Sequence, residues 1–327
     1  MAMSRPLVEK DWGHLWVGLF VWITFQVVGP GISFSEESTR FQEWQLLEVK
    51  NGKPIPFEEF KPDLLAADVI YIGEEHNTPS HIEAALRVLD VLLAEAREPV
   101  LAMEMFGWDG QDALERYIVG KVEVQDQFLQ ESHWKDNWGG EYEGYEPLVT
   151  FAKDHSLSLF GLIPPRSLVK KVRSTGLMKA SQDPDMQRWG FDAPISLDDP
   201  EYKRVLFEPI EQCHPGFSQK VYQKFYEASI FKDEGMAKVI ADYLQRREGR
   251  FQPLVSYTGG GHIQYGVPIP KRVERRLASP IRQVTLYLHA FDPNRESEIG
   301  EMIEGGIADY LWLTPMGPDG PQPRCGS

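Results

Sequence analysis

The chain has 327 residues, 42% of them hydrophobic and 12% aromatic, with 34 Lys and Arg against 49 Asp and Glu. That is enough for a substantial core in one large α/β domain or about two smaller ones. The formal charge of −15 excludes nucleic-acid binding through a broad basic surface, because neutralising phosphates takes clustered Lys and Arg.

The chain starts with a short leader carrying Arg5, Glu9, Lys10 and Asp11, followed by LWVGLFVWITFQVVGPGI, which is apolar from Leu15 to Val28 and closed by Gly and Pro. This run is the length of a signal-peptide core and shorter than a comfortable membrane span of ~20 residues. Ser33-Phe34-Ser35 places small residues where cleavage would occur. Residues 1–35 are therefore expected to be a signal peptide or an N-terminal membrane anchor, with a buried core helix as the alternative. Cys213 and Cys325 make neither a disulfide framework nor a metal motif, and neither stands near the apolar run to carry a lipid. Residues 316–327, rich in Pro and Gly, are expected to form a disordered tail.

Residues 41–315 contain no repeat and no low-complexity linker, and read as a single α/β domain with a mainly parallel sheet flanked by helices. The strands expected are DVIYIG (68–73), PVLAMEM (99–105), LSLFGLI (157–163), PLVSYTG (253–259), QVTLYLHA (283–290) and ADYLWLT (308–314). Several are apolar on consecutive positions, as strands covered on both faces are. Between them, Asn77 or Thr78 can cap a helix with Pro79 in its first turn and Leu86, Leu89 and Leu93 at helical spacing. Further helices are expected from Asp109 to Gly120, from Pro147 to His155 and from Phe225 to Arg246. The stretch around 176–225, dense in Asp, Pro and Gln, reads as an inserted helical lobe or lid.

In an open parallel sheet, ligands sit outside the carboxyl ends of the strands. There this sequence places Glu74, Glu75 and His76 after DVIYIG, Glu104 near the end of PVLAMEM, Arg166 after LSLFGLI, and His262 after Gly259-Gly260-Gly261. Four strand ends bearing histidines, glutamates and an arginine point to a functional cleft. A pairing of Glu74 with His76 follows from strand alternation. His81 lies roughly 140° around a helix from His76 and is expected to cap or pack. Glu104, among Met103, Met105 and Phe106, is a carboxylate in apolar company and a site candidate for that reason. A second concentration, WKDNWGGEYEGYEPL, carries Trp134, Trp138, Tyr142 and Tyr145 between glycines that disfavour one continuous helix. It either anchors a loop in the core or offers a platform to a planar ligand.

The stretches VIYIGEEHNTPSHIEAALRVL, LAMEMFGWDGQDALERYIVG, the W-x3-W segment leading to YEPLVTFAKDH, PPRSLVKKV, KDEGMAKVI and GGGHIQYGVPIPKRVERR resemble, in order, the ChaN-like haem-binding lipoproteins of bacterial iron uptake. The likeness covers most of residues 68–276. It implies an exported cell-envelope protein that binds ferric haem as a homodimer, with a tyrosine on the iron and haem transporter or receptor components as partners. Tyr145, or else Tyr142, matches that ligand; Trp138, Arg166 and Arg272 match positions around the haem, and Lys170 and Lys171 add cations for its propionates. The sequence departs from the family at Ser80, Ile163 and Ser229, and in lacking a lipid-bearing cysteine. The strand-end cluster also looks like that of erythromycin-esterase and TraB/Tiki-type proteins. On that alternative the chain is a hydrolase in which Glu74, His76, Glu104 and His262 are catalytic, acting directly or with a divalent transition metal held by Glu74, His76 and His262.

Overall fold

Short apolar runs become one eight-stranded sheet. The structure, a computed structural model, describes residues 40–191, 195–247, 252–318 and 320. The apolar run at 15–28, the expected cleavage region and residues 319 and 321–327 of the expected tail lie outside the described residues. Strands β1 (Leu46–Glu48), β2 (Lys53–Ile55), β3 (Val69–Glu74), β4 (Val100–Gly107), β5 (Leu159–Ile163), β6 (Leu254–Gly259), β7 (Gln283–Ala290) and β8 (Tyr310–Thr314) lie in the order β2-β1-β8-β7-β3-β6-β4-β5. Every pairing among β3 to β8 is parallel, while β1 pairs antiparallel with both β2 and β8. Each of the six runs expected as strands matches one of β3 to β8 to within two residues at either end, β3 and β4 running on to Glu74 and Gly107. The β1–β2 hairpin was not anticipated, because three residues per strand carry too little alternation to stand out.

The strands of the sheet centre are apolar on both faces, and the helices divide between those faces. Helices α1 (Phe57–Ala66), α2 (Pro79–Ala94), α3 (Gln111–Ile118), α4 (Gln125–Glu131), α5 (Trp134–Asn137) and α6 (Glu146–Asp154) pack with Ile70, Ile72, Met103 and Val255 in one core. Thr78 occupies the N-cap position of α2, but its side chain makes no capping bond; Pro79 supplies the preset first turn. The buried stripe of α2 runs through Ile82, Ala85, Leu89 and Leu92, with Leu86 and Leu93 on its flanks.

The segment expected as a lobe is helical. After α7 (Arg166–Thr175) come α8 (Leu177–Ala180), α9 (Pro184–Arg188) and α10 (Pro200–Cys213), which share a small core with the first turns of α11 (Gln219–Arg246). Helix α11 begins six residues earlier than the expected Phe225 and continues out of the lobe to cover the second face of the sheet, with Met236, Ala237 and Ile240 against Val69, Tyr71 and Ala102. It lies close because position 235 is glycine: a Cβ there would stand 2.2 Å from Pro164 Cγ. Helices α12 (Pro270–Arg276) and α13 (Glu296–Gly305) complete the fold. Cys213 is disulfide-bonded, a pairing not expected from the sequence; the other cysteine of the chain, Cys325, lies outside the described residues. Strand β5 is an edge, and the Gln111 carboxamide covers it by donating to Leu159 O at 3.0 Å and accepting from Gly161 N at 3.0 Å, as a neighbouring strand would.

Candidate functional site

Strands β3, β6 and β4 are neighbours, so their carboxyl ends bring Glu74, Gly259 and Glu104 to one rim, with Glu74 in register with Gly259. Alternation sends Glu74 to the same face as Ile70 and Ile72, under α6. There Tyr145 donates its hydroxyl to Glu74 Oε1 at 2.9 Å and Tyr257 donates to Oε2 at 2.8 Å. His76 Nδ1 meets the same Oε1 at 2.7 Å. Glu74 is thus a buried acceptor fixed from three directions, and His76 is its one partner open to water, with 43% of its side chain exposed. Burial opposes charge on His76, but the Glu74 hydrogen bond and the nearby Glu104 outweigh it and raise its pKa above the usual histidine value.

Glu104 belongs to a second row. Its Oε2 accepts from Gly259 N at 2.8 Å, and its Oε1 lies 3.0 Å from His262 Nε2. His262 Nδ1 in turn is 2.5 Å from Asp233 Oδ1, and Tyr202 donates its hydroxyl to the other oxygen of Asp233. Burial would push Glu104 up, but the His262 imidazolium and its hydrogen bond outweigh burial and hold the carboxyl below its ordinary range. For His262 burial lowers the pKa, yet Glu104 and Asp233 overcome it and push it up to about 9. Glu104, His262 and Asp233 therefore form a buried carboxylate–imidazolium–carboxylate row that bridges β4, the turn after β6 and α11.

Glu75 turns to the other side, where its Oε1 lies 2.5 Å from His289 Nδ1. Its backbone N–H donates to His81 Nδ1 at 3.0 Å. His81 is fully buried, its Nε2 finds no partner, and burial brings its pKa down to about 4, so it packs as a neutral ring.

The remaining residues singled out from the sequence fall apart. Tyr145 is 1% exposed and Tyr142 3%, both inside the core with Phe128 and Trp134. Burial, first of all, raises both phenols well above the usual tyrosine value, and the Tyr142 oxygen has no hydrogen-bond partner. Of the four aromatic side chains of that segment, Tyr145 meets the rim from inside the core through Glu74, and Trp138 is the one that is half-buried, its ring edge-on to His76 with centroids 4.9 Å apart. Arg166, exposed at the start of α7, donates to the carbonyls of Asp136 and Trp138 at 3.5 Å. Lys171, half-buried, is held by Asp183, and Lys170 is exposed.

Two expectations need correction. Arg272 is not at a ligand surface: it is 1% exposed, paired with Asp199 at 3.2 Å and Glu234 at 3.1 Å, and stacked 4.1 Å from the Tyr202 ring. The metal set Glu74, His76 and His262 does not form, since both nitrogens of His262 are occupied by carboxylates. Among the described residues no three His, Cys, Asp or Glu side chains converge as metal ligands.

Asp233, Tyr202, Tyr257 and His289 were missed from the sequence. A signal for Asp233 was present: it lies on the apolar stripe Ile230, Asp233, Ala237, Ile240 and Leu244, where a carboxylate needs a buried partner. Nothing in the spacing of the other three marks them.

Comparison with known proteins agrees with this architecture. Residues 61–273 match the family model described as haem-binding uptake, Tiki superfamily, ChaN. RETICULATA-RELATED 5, a chloroplastic protein of Arabidopsis thaliana, is 24% identical over 272 residues, which is 78% of this chain; the chain spans 35% of that protein's length. The solved structure of cofacial heme binding to ChaN of Campylobacter jejuni is similar at a TM-score of 0.62 and 19% identity, covering 83% of this chain and 97% of that one. Erythromycin esterase EreC in its open conformation reaches a TM-score of 0.44 at 12% identity, over 84% of this chain and 83% of its own, too distant a likeness to bear on chemistry.

Proposed function

The chain belongs to the haem-binding uptake family ChaN of the Tiki superfamily, and we propose on that footing that it binds haem at the carboxyl rim of its sheet, beside Trp138 and Arg166. The family match over residues 61–273 carries the reading.

The donor set at the rim supports a fit. His76 offers a half-open imidazole whose Nε2 has no protein partner among the described residues. The Trp138 indole stands beside it, and the exposed Arg166 guanidinium lies within reach of the same edge, where a propionate would be paired. Tyr145 and Tyr142 fit less well: each would have to leave the core, and Tyr145 would have to give up Glu74. When bound, haem would supply an iron centre on a large apolar plane. The chain's own part is to hold that plane, orient it and keep water from one side.

The reading extends to an exported protein of the bacterial cell envelope, acting in haem-iron acquisition as a homodimer with transporter or receptor components. The apolar run Leu15–Val28 supports export, and no helix of the described residues is long and apolar enough to cross a membrane. Cell fractionation reads the export, and size-exclusion chromatography with and without hemin reads the dimer. For the cradle itself, hemin titration of the Arg166→Glu variant is expected to show affinity weakened about tenfold or more, as loss of a charge-assisted contact implies. Equal affinities would place the propionates elsewhere.

A hydrolase reading uses the same rim. It is favoured by one observation: His76, backed by Glu74, opens to solvent next to the charged Glu104–His262–Asp233 row, as a general base beside an acid would. Ester and amide hydrolysis by the haem-free protein, if no faster than with His76→Ala, removes it.

A further inference from the structure

Four histidines stand in or near the rim, and their hydrogen bonds sort them. His262 has both ring nitrogens on carboxylates. His81 is buried, with Nδ1 taken by the Glu75 N–H, and His289 is nearly buried with Nδ1 on Glu75. His76 alone among the four combines an exposed ring with one nitrogen anchored and the other unpartnered. We infer that His76, through Nε2, is the side chain that takes the haem iron, with Glu74 as the acceptor that fixes its ring. This rests on the haem reading above and names the ligand within it.

The arrangement is that of a metal-ligating histidine and its supporting carboxylate. A ligating imidazole characteristically donates its second ring N–H to a carboxylate, which selects the tautomer, fixes the ring and makes the free nitrogen more basic. Here Nδ1 lies 2.7 Å from Glu74 Oε1, and Glu74 is itself immobilised by the Tyr145 and Tyr257 hydroxyls at 2.9 and 2.8 Å. Tyr145 therefore supports the ligand from behind as a positioning residue. The Trp138 ring, at 81° to the imidazole and 4.9 Å away, limits its rotation. Gly259 keeps the space beside the free nitrogen clear: a Cβ there would stand 2.8 Å from His76 Cε1 and 3.1 Å from Nε2. A rival donor is close by. Tyr265 is 39% exposed and holds a left-handed backbone, φ 58°, three residues beyond His262.

The test is resonance Raman spectroscopy of the wild-type haem complex, reduced with dithionite. An iron–imidazole stretching band is expected, displaced to lower frequency when the protein's histidines carry 15N. The band should vanish in His76→Gly, return on adding imidazole, and move to lower frequency in Glu74→Gln, whose neutral amide is a weaker acceptor for Nδ1–H. The isotope shift needs no variant and so is independent of whether the variants fold. A band that survives in His76→Gly without imidazole assigns the iron to another histidine and overturns the inference. So does a ferric complex showing phenolate bands that disappear in Tyr145→Phe, Tyr142→Phe or Tyr265→Phe. In both cases the haem reading stands; wild-type protein that takes up no hemin removes that reading and the ligand with it.

Discussion

Raising the pH from 6.5 to about 9 is expected to lower the unfolding free energy of the wild-type chain by on the order of 3 kcal/mol through one histidine, and His262→Gln should abolish that fall. Burial by itself would lower the His262 pKa from its ordinary 6.5, but Glu104 and Asp233 on either side raise it to about 9. A group whose folded pKa lies above its unfolded one stabilises fully below the unfolded value and loses that contribution as pH rises through the folded value. The window therefore runs from 6.5 to about 9. Lys232 and His76 also face Glu104, and the Tyr202 hydroxyl faces Asp233, so the row is electrostatically shared; the difference between wild type and variant isolates the imidazole. Urea unfolding at closely spaced pH values reads it, and parallel curves for the two proteins would contradict it.

Arg272→Met should cost about 3 kcal/mol of stability while leaving the hemin affinity of the folded protein within about threefold of wild type. The guanidinium is buried, joins Asp199 and Glu234 and donates to the carbonyls of Val267 and Pro268 at 3.2 and 2.9 Å. Removing it leaves two carboxylates short of a partner, although Arg275 still reaches Asp199 and Arg276 still reaches Glu234. That residual pairing sets the expectation at the lower end for a broken buried pair. Denaturant unfolding and hemin titration of the same preparation decide the point. A large loss of hemin affinity with unchanged stability would restore Arg272 to the ligand surface.

Strands β3 to β8 were legible because each is an uninterrupted apolar run bounded by polar or turn residues, and their order along the chain implies parallel pairing. The rim residues were legible from the same logic, since a strand's end fixes where the next residues go: Glu74, His76, Glu104 and His262 do lie together, in two pairs. What the pattern could not supply was orientation across the sheet. In WKDNWGGEYEGYEPL the aromatic content left core anchoring and a ligand platform both open; Trp134, Tyr142 and Tyr145 face inward, with the Tyr145 hydroxyl on Glu74, and Trp138 stands half-buried beside His76. Glycines at 139, 140 and 144 break the periodicity that would have distinguished those directions. In PKRVERR three arginines stand within five residues, and only the one that follows Ile269 by three positions is carried into the core beside Val273. Asp233 was legible in principle from its place on the buried stripe of α11, but its partner His262 lies 29 residues away on a different element.

The central claim, haem at the carboxyl rim, is tested most directly by titrating the purified haem-free chain with hemin and following the visible absorption spectrum. The expected result is a shifted Soret band that saturates at a fixed ratio of haem to chain. Spectra that remain the sum of free hemin and protein at every ratio would contradict it.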